Sequence, residues 1–128
     1  MGDNQVQAIA IDASGCKWFC TGGGGVSYLD DNGTPTNKTD DTWVTFTELD
    51  GLQSDWIEAI AIDASGGKWL GAGYVSYLDD NGTPTNKGDD NVTIFSTYDA
   101  PFVVQAIAID ASGGKWFGSS YRGVSYCP

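Results

Sequence analysis

The sequence contains no histidine. That absence removes the usual general base near neutral pH, the Ser-His-Asp arrangement and the commonest metal ligand together. Basic residues are also scarce. Six Lys and Arg face 17 Asp and Glu, which leaves a net charge of −11 and a pI of about 4.1. Phosphate recognition needs clustered Lys and Arg, so nucleic acid and anionic membrane surfaces are excluded as partners. The three cysteines are odd in number and show no CxxC spacing, so they make no disulfide framework. No apolar run approaches the length of a membrane span, and MGDNQ carries no export signal. No segment of helical length shows a period near 3.6.

What is present points to a β-rich domain. With 41% hydrophobic and 12% aromatic residues the composition is not that of a disordered chain. A length of 128 residues suits one domain with a workable core, and 18 glycines with four prolines announce many turns.

The dominant feature is an internal repeat. VQAIAIDASGCKWF begins at Val6, IEAIAIDASGGKWL at Ile57 and VQAIAIDASGGKWF at Val104, 51 and 47 residues apart. The stretch VSYLDDNGTPTNK runs from Val26 to Lys38, recurs unchanged from Val75 to Lys87, and a third copy ends after VSY at Cys127 and Pro128. Duplication of the whole unit explains the identity of the two loops without a special function. Each unit reads as short strands split by turn signals: Ala8–Asp12, Lys17–Thr21, Gly25–Asp30 and Trp43–Thr47 in the first copy. The strands are apolar on both faces, as in Ala8-Ile9-Ala10-Ile11, whereas a sheet wet on one side alternates apolar with polar. Sheets sandwiched between like sheets meet that requirement, and a period of roughly 40–50 residues is that of propeller blades. The expectation is an all-β fold: a β-propeller of four-stranded antiparallel blades, about 2.75 blades per chain. The single repeat domain spans 1–128, with blade 1 at about 6–47, blade 2 at about 57–97 and an incomplete blade 3 at about 104–127.

The unit AIAIDASGGKWFG…GVSYLD resembles the two-component regulator propeller repeat, in which a short apolar strand ending in Asp leads through a Gly turn to Trp and a Gly-rich segment. The structural repeat positions Asp12, Trp18, Asp63, Trp69, Asp110 and Trp116 recur in register, as do Gly25 and Gly123. Departures are Tyr74 in place of the motif glycine, and Cys16 and Cys20 where the later copies have Gly67, Gly71, Gly114 and Gly118. The resemblance implies extracytoplasmic sensor modules, but the chain shows no membrane helix, kinase or DNA-binding segment, so it carries over only the module.

Several residues qualify as sites. Asp30, Asp31 and Asn32, with the twin Asp79, Asp80 and Asn81, and the acids Asp40, Asp41, Asp89 and Asp90, offer oxygen ligands of the kind Ca²⁺ takes. The spacing is not that of an EF-hand, and a solvated Asn-Gly turn is the preferred reading, with no cofactor. Trp18, Trp69 and Trp116 read as packing between blades rather than a ligand platform. Tyr28, Tyr77 and Tyr126, near blade ends, and the unrepeated Trp43 and Trp56 are the candidate ligand contacts. Asp12 with Lys17, Asp63 with Lys68 and Asp110 with Lys115 flank the turn and can pair across the hairpin. Cys16 and Cys20 are too far apart in an extended segment to bond each other, since a disulfide holds Cα atoms within about 7 Å. Buried free thiols are the simplest reading; a bridge from Cys127, expected in a strand, to Cys16 or Cys20 of another chain is the alternative.

An arc of three blades exposes an apolar face at each end. The expected partner is therefore itself: two chains head to tail form a homodimer with a closed six-bladed ring, unless the chain is a piece of a longer propeller. The expected function is a non-enzymatic module for binding or assembly. A lectin-like or adhesin-like protein with one weak site per blade is the alternative. A metal-dependent propeller enzyme stands third, against the missing histidine.

Overall fold

Each repeat folds as an antiparallel meander because five-residue apolar segments alternate with turns that only Gly, Asn and Asp accommodate comfortably. The computed structural model describes residues 2–95, 103–120 and 123–128. The first sheet contains β1 (Val6–Ile11), β2 (Lys17–Thr21), β3 (Val26–Asp30) and β4 (Thr42–Phe46) in that spatial order. The second contains β5 (Ala59–Ile62), β6 (Lys68–Gly71), β7 (Val75–Asp79) and β8 (Asn91–Phe95). The third is three-stranded: β9 (Val104–Ile109), β10 (Lys115–Ser119) and β11 (Gly123–Cys127). Residues 96–97, taken by the sequence as the end of blade 2, lie outside the described residues. No α-helix occurs among the described residues, only 3₁₀ turns at Lys38–Asp40, Glu48–Asp50 and Lys87–Asp89.

Cross-strand pairing fixes which side chains share a face. Trp18 lies opposite both Ala10 and Tyr28, Tyr28 opposite Val44, and Val26 opposite Phe46. The other face carries Ile9, Ile11, Lys17, Phe19, Leu29 and Trp43. The Trp face of the first sheet packs on the Lys face of the second. Trp18, Cys20, Val26, Tyr28 and Phe46 form one core with Leu70 and Leu78, supported by Ile60, Ile62 and Val92. The contact repeats one sheet later, where Trp69 and Val75 pack with Val104, Ile107, Ile109 and Phe117. The sheets are therefore stacked blade on blade, and the described chain closes no ring.

The DASGG turn owes its repetition to a specific set of hydrogen bonds. Asp12 Oδ1 accepts from the backbone N–H of Ser14 (2.9 Å) and Cys16 (3.0 Å), while Oδ2 accepts from Trp18 Nε1 (3.0 Å). Asp63 and Asp110 make the same three bonds, to Ser65, Gly67 and Trp69 and to Ser112, Gly114 and Trp116. One carboxylate thus shapes the turn and satisfies the one polar atom of an otherwise apolar indole. The turn also demands a left-handed residue, and Gly15, Gly66 and Gly113 have φ of 86°, 87° and 85°.

The structure corrects the expected pairing of Asp12, Asp63 and Asp110 with Lys17, Lys68 and Lys115. The aspartate is engaged by its tryptophan, and the first two lysines reach other acids: Lys17 Nζ lies 2.6 Å from Asp31 and Lys68 Nζ 2.6 Å from Asp80. Tyr74 is not a left-handed stand-in for glycine either, since it is absent from the positive-φ residues that include Gly25 and Gly123. The second copy shortens the turn instead: Ala72 N–H bonds Tyr74 O, where Thr21 N–H bonds Gly25 O.

Replacing Asp12 by Ala leaves the fully buried Trp18 indole N–H without an acceptor. A loss of about 1–3 kcal/mol is expected in urea denaturation. Asp110→Ala will cost clearly less, because Trp116 is 43% exposed and its N–H regains water. Equal losses would mean that the turn bonds, not the indole, carry the effect.

Candidate functional site

The two internal seams show what each sheet face is built to receive. At the first, Lys68 Nζ sits 4.4 Å from the centroid of the Trp18 ring while also bonding Asp80. At the second, Lys115 Nζ sits 5.1 Å from Trp69. A lysine of the following blade thus covers a tryptophan of the preceding one, a cation–π contact made stronger by desolvation. The preceding tryptophan is in turn backed by its own sheet: Trp18 has Tyr28 at 5.0 Å and Phe46 at 5.6 Å, and Trp69 has Tyr77 at 4.7 Å and Phe95 at 5.5 Å. From the second sheet's long loop Lys87 reaches back to Asp50 (2.9 Å), to the Thr45 carbonyl oxygen and over the Phe46 ring at 5.0 Å.

The outermost faces hold the same groups without the neighbour. On the first sheet Ile9 and Ile11 are 59% and 64% exposed, and Lys17, Phe19, Leu29, Asp31, Pro35, Lys38, Asp41 and Trp43 line a cleft of about 590 Å³. Their equivalents on the second sheet are covered: Leu70, Leu78 and Val92 belong to the core that holds Trp18 and Phe46, and Lys68 lies over the Trp18 ring. The cleft is therefore the counterpart, on the first sheet, of the surface that Trp18 and Phe46 cover on the second. On the third sheet the complementary half is bare: Trp116, Val124 and Tyr126 are exposed.

The acidic loops are occupied from within. Asp30 Oδ1 and Asp31 Oδ1 accept from the backbone N–H of Asn32 and Gly33, and Asp31 Oδ2 accepts from Lys17. Asp79 and Asp80 do the same toward Asn81, Gly82 and Lys68. Asn32 and Gly33 have φ of 54° and 73°, and the Thr34 N–H closes on the Asp31 carbonyl, the signature of a type I′ turn. Hydrogen bonding from Lys17 holds the Asp31 carboxyl below its ordinary range. Asp40 and Asp89 accept from the Thr34 and Thr83 hydroxyls, and burial, then the charges of Asp80 and Asp89, push Asp90 upward. Among the described residues no three His, Cys, Asp or Glu converge in a geometry that holds a metal.

The structure divides the candidate ligand contacts. Tyr28 is buried against Trp18, its hydroxyl donating to Cys16 Sγ at 3.2 Å. Tyr77 backs Trp69 in the same way, and its hydroxyl lies where Gly67 leaves no room for a Cβ. Tyr126 backs Trp116 at 4.6 Å but is 52% exposed. Trp43 lies on the open cleft at 5.9 Å from Phe19, and Trp56, 51% exposed, bonds Glu58 from a linker. Only Trp43 of this set borders the cleft. Sequence reasoning missed the role of Lys68, a lysine 4% exposed, because the acid that neutralises it lies 12 residues on and the ring that it covers belongs to another repeat.

Cys16 and Cys20 are buried and free; burial raises both thiols, Cys20 well above its usual range. Cys127 closes β11 and is exposed, so the reading of buried thiols fails for this residue. The edge position of β11 is the reason: no strand follows it in the described sheet.

No family model matches this chain, and no curated protein does. Solved structures do. The chain is similar to PorZ, an essential bacterial surface component of the type-IX secretion system of Porphyromonas gingivalis, at 20% identity and a TM-score of 0.75, covering 95% of this chain and 19% of that one. It is also similar to the extracellular domain of the hybrid two component system BT3049 from B. thetaiotaomicron, at 19% identity and a TM-score of 0.72, covering 97% of this chain and 16% of that one. Likeness at this identity establishes a related β-propeller-like fold. The chain spans less than a fifth of the length of either neighbour.

Two outcomes test the seam. Lys68→Met strands the buried Asp80 carboxylate and is expected to cost about 3–5 kcal/mol in chemical denaturation. In the monomer, where Lys17 is 28% exposed, Lys17→Met will cost far less; a comparable loss at concentrations that keep the chain monomeric would show that the seam adds nothing to the pair. In a second assay a thiol reagent will titrate Cys127 alone in the native protein and all three cysteines after unfolding. Rapid reaction of a second native thiol would contradict the burial of Cys16 and Cys20.

Proposed function

We propose that this chain is a non-enzymatic propeller-type module for binding or assembly that associates with a second copy through its blade faces, two chains supplying six blades. The observation that carries this reading is the complementarity of the two outer faces. Lys17 on the first sheet occupies the position of Lys68 and Lys115, and Trp116 on the third occupies the position of Trp18 and Trp69. A face that already accepts its neighbour within the chain accepts the same face of another copy, because the repeats are nearly identical. An extracytoplasmic setting is part of the proposal, supported by the surface and extracellular neighbours.

The alternative, a lectin-like protein with one weak site per blade, draws support only from the cleft beside Trp43. The corresponding surface of the second sheet is filled by Trp18 and Phe46, which counts against a site on every blade. A glycan array separates the two readings.

Sedimentation velocity tests self-association. The wild type, 13.5 kDa per chain, is expected at twice that mass, and Lys17→Glu and Trp116→Ala are each expected to shift it to the monomer with an unchanged far-ultraviolet spectrum. A wild-type monomer at high micromolar concentration would refute the dimer.

A further inference from the structure

The two Asn-Gly turns carry a chemistry that the blade contacts do not use. Asn32–Gly33 and Asn81–Gly82 share every neighbour from Asp30 to Lys38 and from Asp79 to Lys87; the first difference beyond them is Thr39 against Gly88. Both asparagines are exposed, and both sit in the left-handed region with φ of 54° and 53°. A Cβ at either glycine would meet no atom within 4 Å, so nothing crowds the main chain there. The glycine proton also has an acceptor in place. Gly33 N–H bonds Asp31 Oδ1 at 3.1 Å, and Gly82 N–H bonds Asp80 Oδ1 at 3.0 Å. All of this is common to the two loops.

The side-chain amides are held differently. Asn81 Nδ2 donates to the Asp89 carbonyl oxygen across its own loop. Among the described residues no partner holds the Asn32 amide.

We infer that Asn32 is a site of spontaneous deamidation, and that the fold directs this modification to Asn32 ahead of its sequence twin Asn81. The Gly33 main-chain nitrogen attacks Asn32 Cγ. An N–Cγ bond forms, the bond from Cγ to Nδ2 breaks, and ammonia leaves with the proton that the glycine nitrogen gives up. Water then opens the cyclic imide at Cγ to give aspartate, or at the main-chain carbonyl carbon to give isoaspartate. No electrons are exchanged, and water is the only co-reactant. Attack requires the side chain to swing its Cγ over the next nitrogen. Asn81 must first give up its bond to Asp89, whereas Asn32 gives up nothing. The product adds a carboxylate beside Asp31, whose other oxygen holds Lys17.

The inference does not depend on what covers the first sheet. Asn81 stays exposed although its sheet is packed against the first, so a neighbour on the outer face leaves the tip of the first loop equally open. It is therefore independent of self-association.

Trypsin separates the two sites, because Lys17, Lys38, Lys68 and Lys87 place them in peptides 18–38 and 69–87. The native protein is incubated at mildly alkaline pH, sampled over time and digested under mildly acidic conditions. Mass spectrometry reads the amide-to-acid conversion of each peptide. A parallel incubation in concentrated urea gives the rates of the unfolded chain, where identical neighbours make the two sites equal. In the native protein Asn32 is expected to convert about fivefold faster than Asn81, the factor that one hydrogen bond of ordinary net strength is worth. Peptide 18–38 is expected to yield both aspartate and isoaspartate forms, resolved by chromatography. The measurement uses the unaltered chain, so no variant has to fold. Equal native rates, faster conversion of Asn81, or an unchanged Asn32 in the native protein would overturn the inference. Aspartate without isoaspartate would also overturn it, since direct hydrolysis would then replace the imide.

Discussion

Everything in this chain depends on a carboxylate meeting an indole at the end of a five-residue turn. The Asp12–Trp18 bond and its two copies do two jobs at once. They close the first hairpin of each sheet, and they fix the ring orientation against which the next blade packs. A tryptophan without that acceptor would carry an unsatisfied N–H into a dry core. With it, the ring packs beside its own Tyr and Phe and takes a lysine from the following sheet over its face. The lysine tolerates burial because Asp80 comes with it, so charge and apolar surface are removed from water together.

Much of the architecture was legible in the sequence because the repeat prints it three times. Alternation over Ala8–Ile11 and the turn letters around Gly15 and Gly33 sufficed to locate strands, and both-faced apolarity indicated sheets stacked on sheets. The likeness to known structures supports that propeller-like reading, although the described residues close no ring. The pairing of charges was not legible. Asp12 and Lys17 are five apart and look like partners across a hairpin, but in the strand Lys17 points to the face opposite Trp18, where Asp31 arrives from a loop. Sequence distance carries no information about which face a loop acid will lean over.

The same limit explains the acidic loops. Their composition suggested oxygen ligands for a cation, yet Asp30, Asp31, Asp40 and their twins Asp79, Asp80 and Asp89 accept from turn amides, hydroxyls or a lysine. It also explains the tyrosines, whose position near strand ends hid that Tyr28 and Tyr77 back a tryptophan. Cys16 shows how locally such environments are tuned. Where Gly67 leaves space for the Tyr77 hydroxyl, Cys16 accepts a hydrogen bond from Tyr28, so one substitution changed a void-free contact into a polar one.

The lysine-over-tryptophan contact has a direction. Lysine always comes from the later sheet and tryptophan from the earlier one, so the surface on one flank is never the mirror of the surface on the other. Such a contact is polar in the sense of a thread rather than a clasp. Repeated with a rotation that returns to its start, it generates a finite circle; repeated with any other rotation, it generates a fibre with a growing end. The angle between successive sheets, not the strength of any single contact, is therefore the quantity that separates a soluble particle from a polymer in proteins assembled this way.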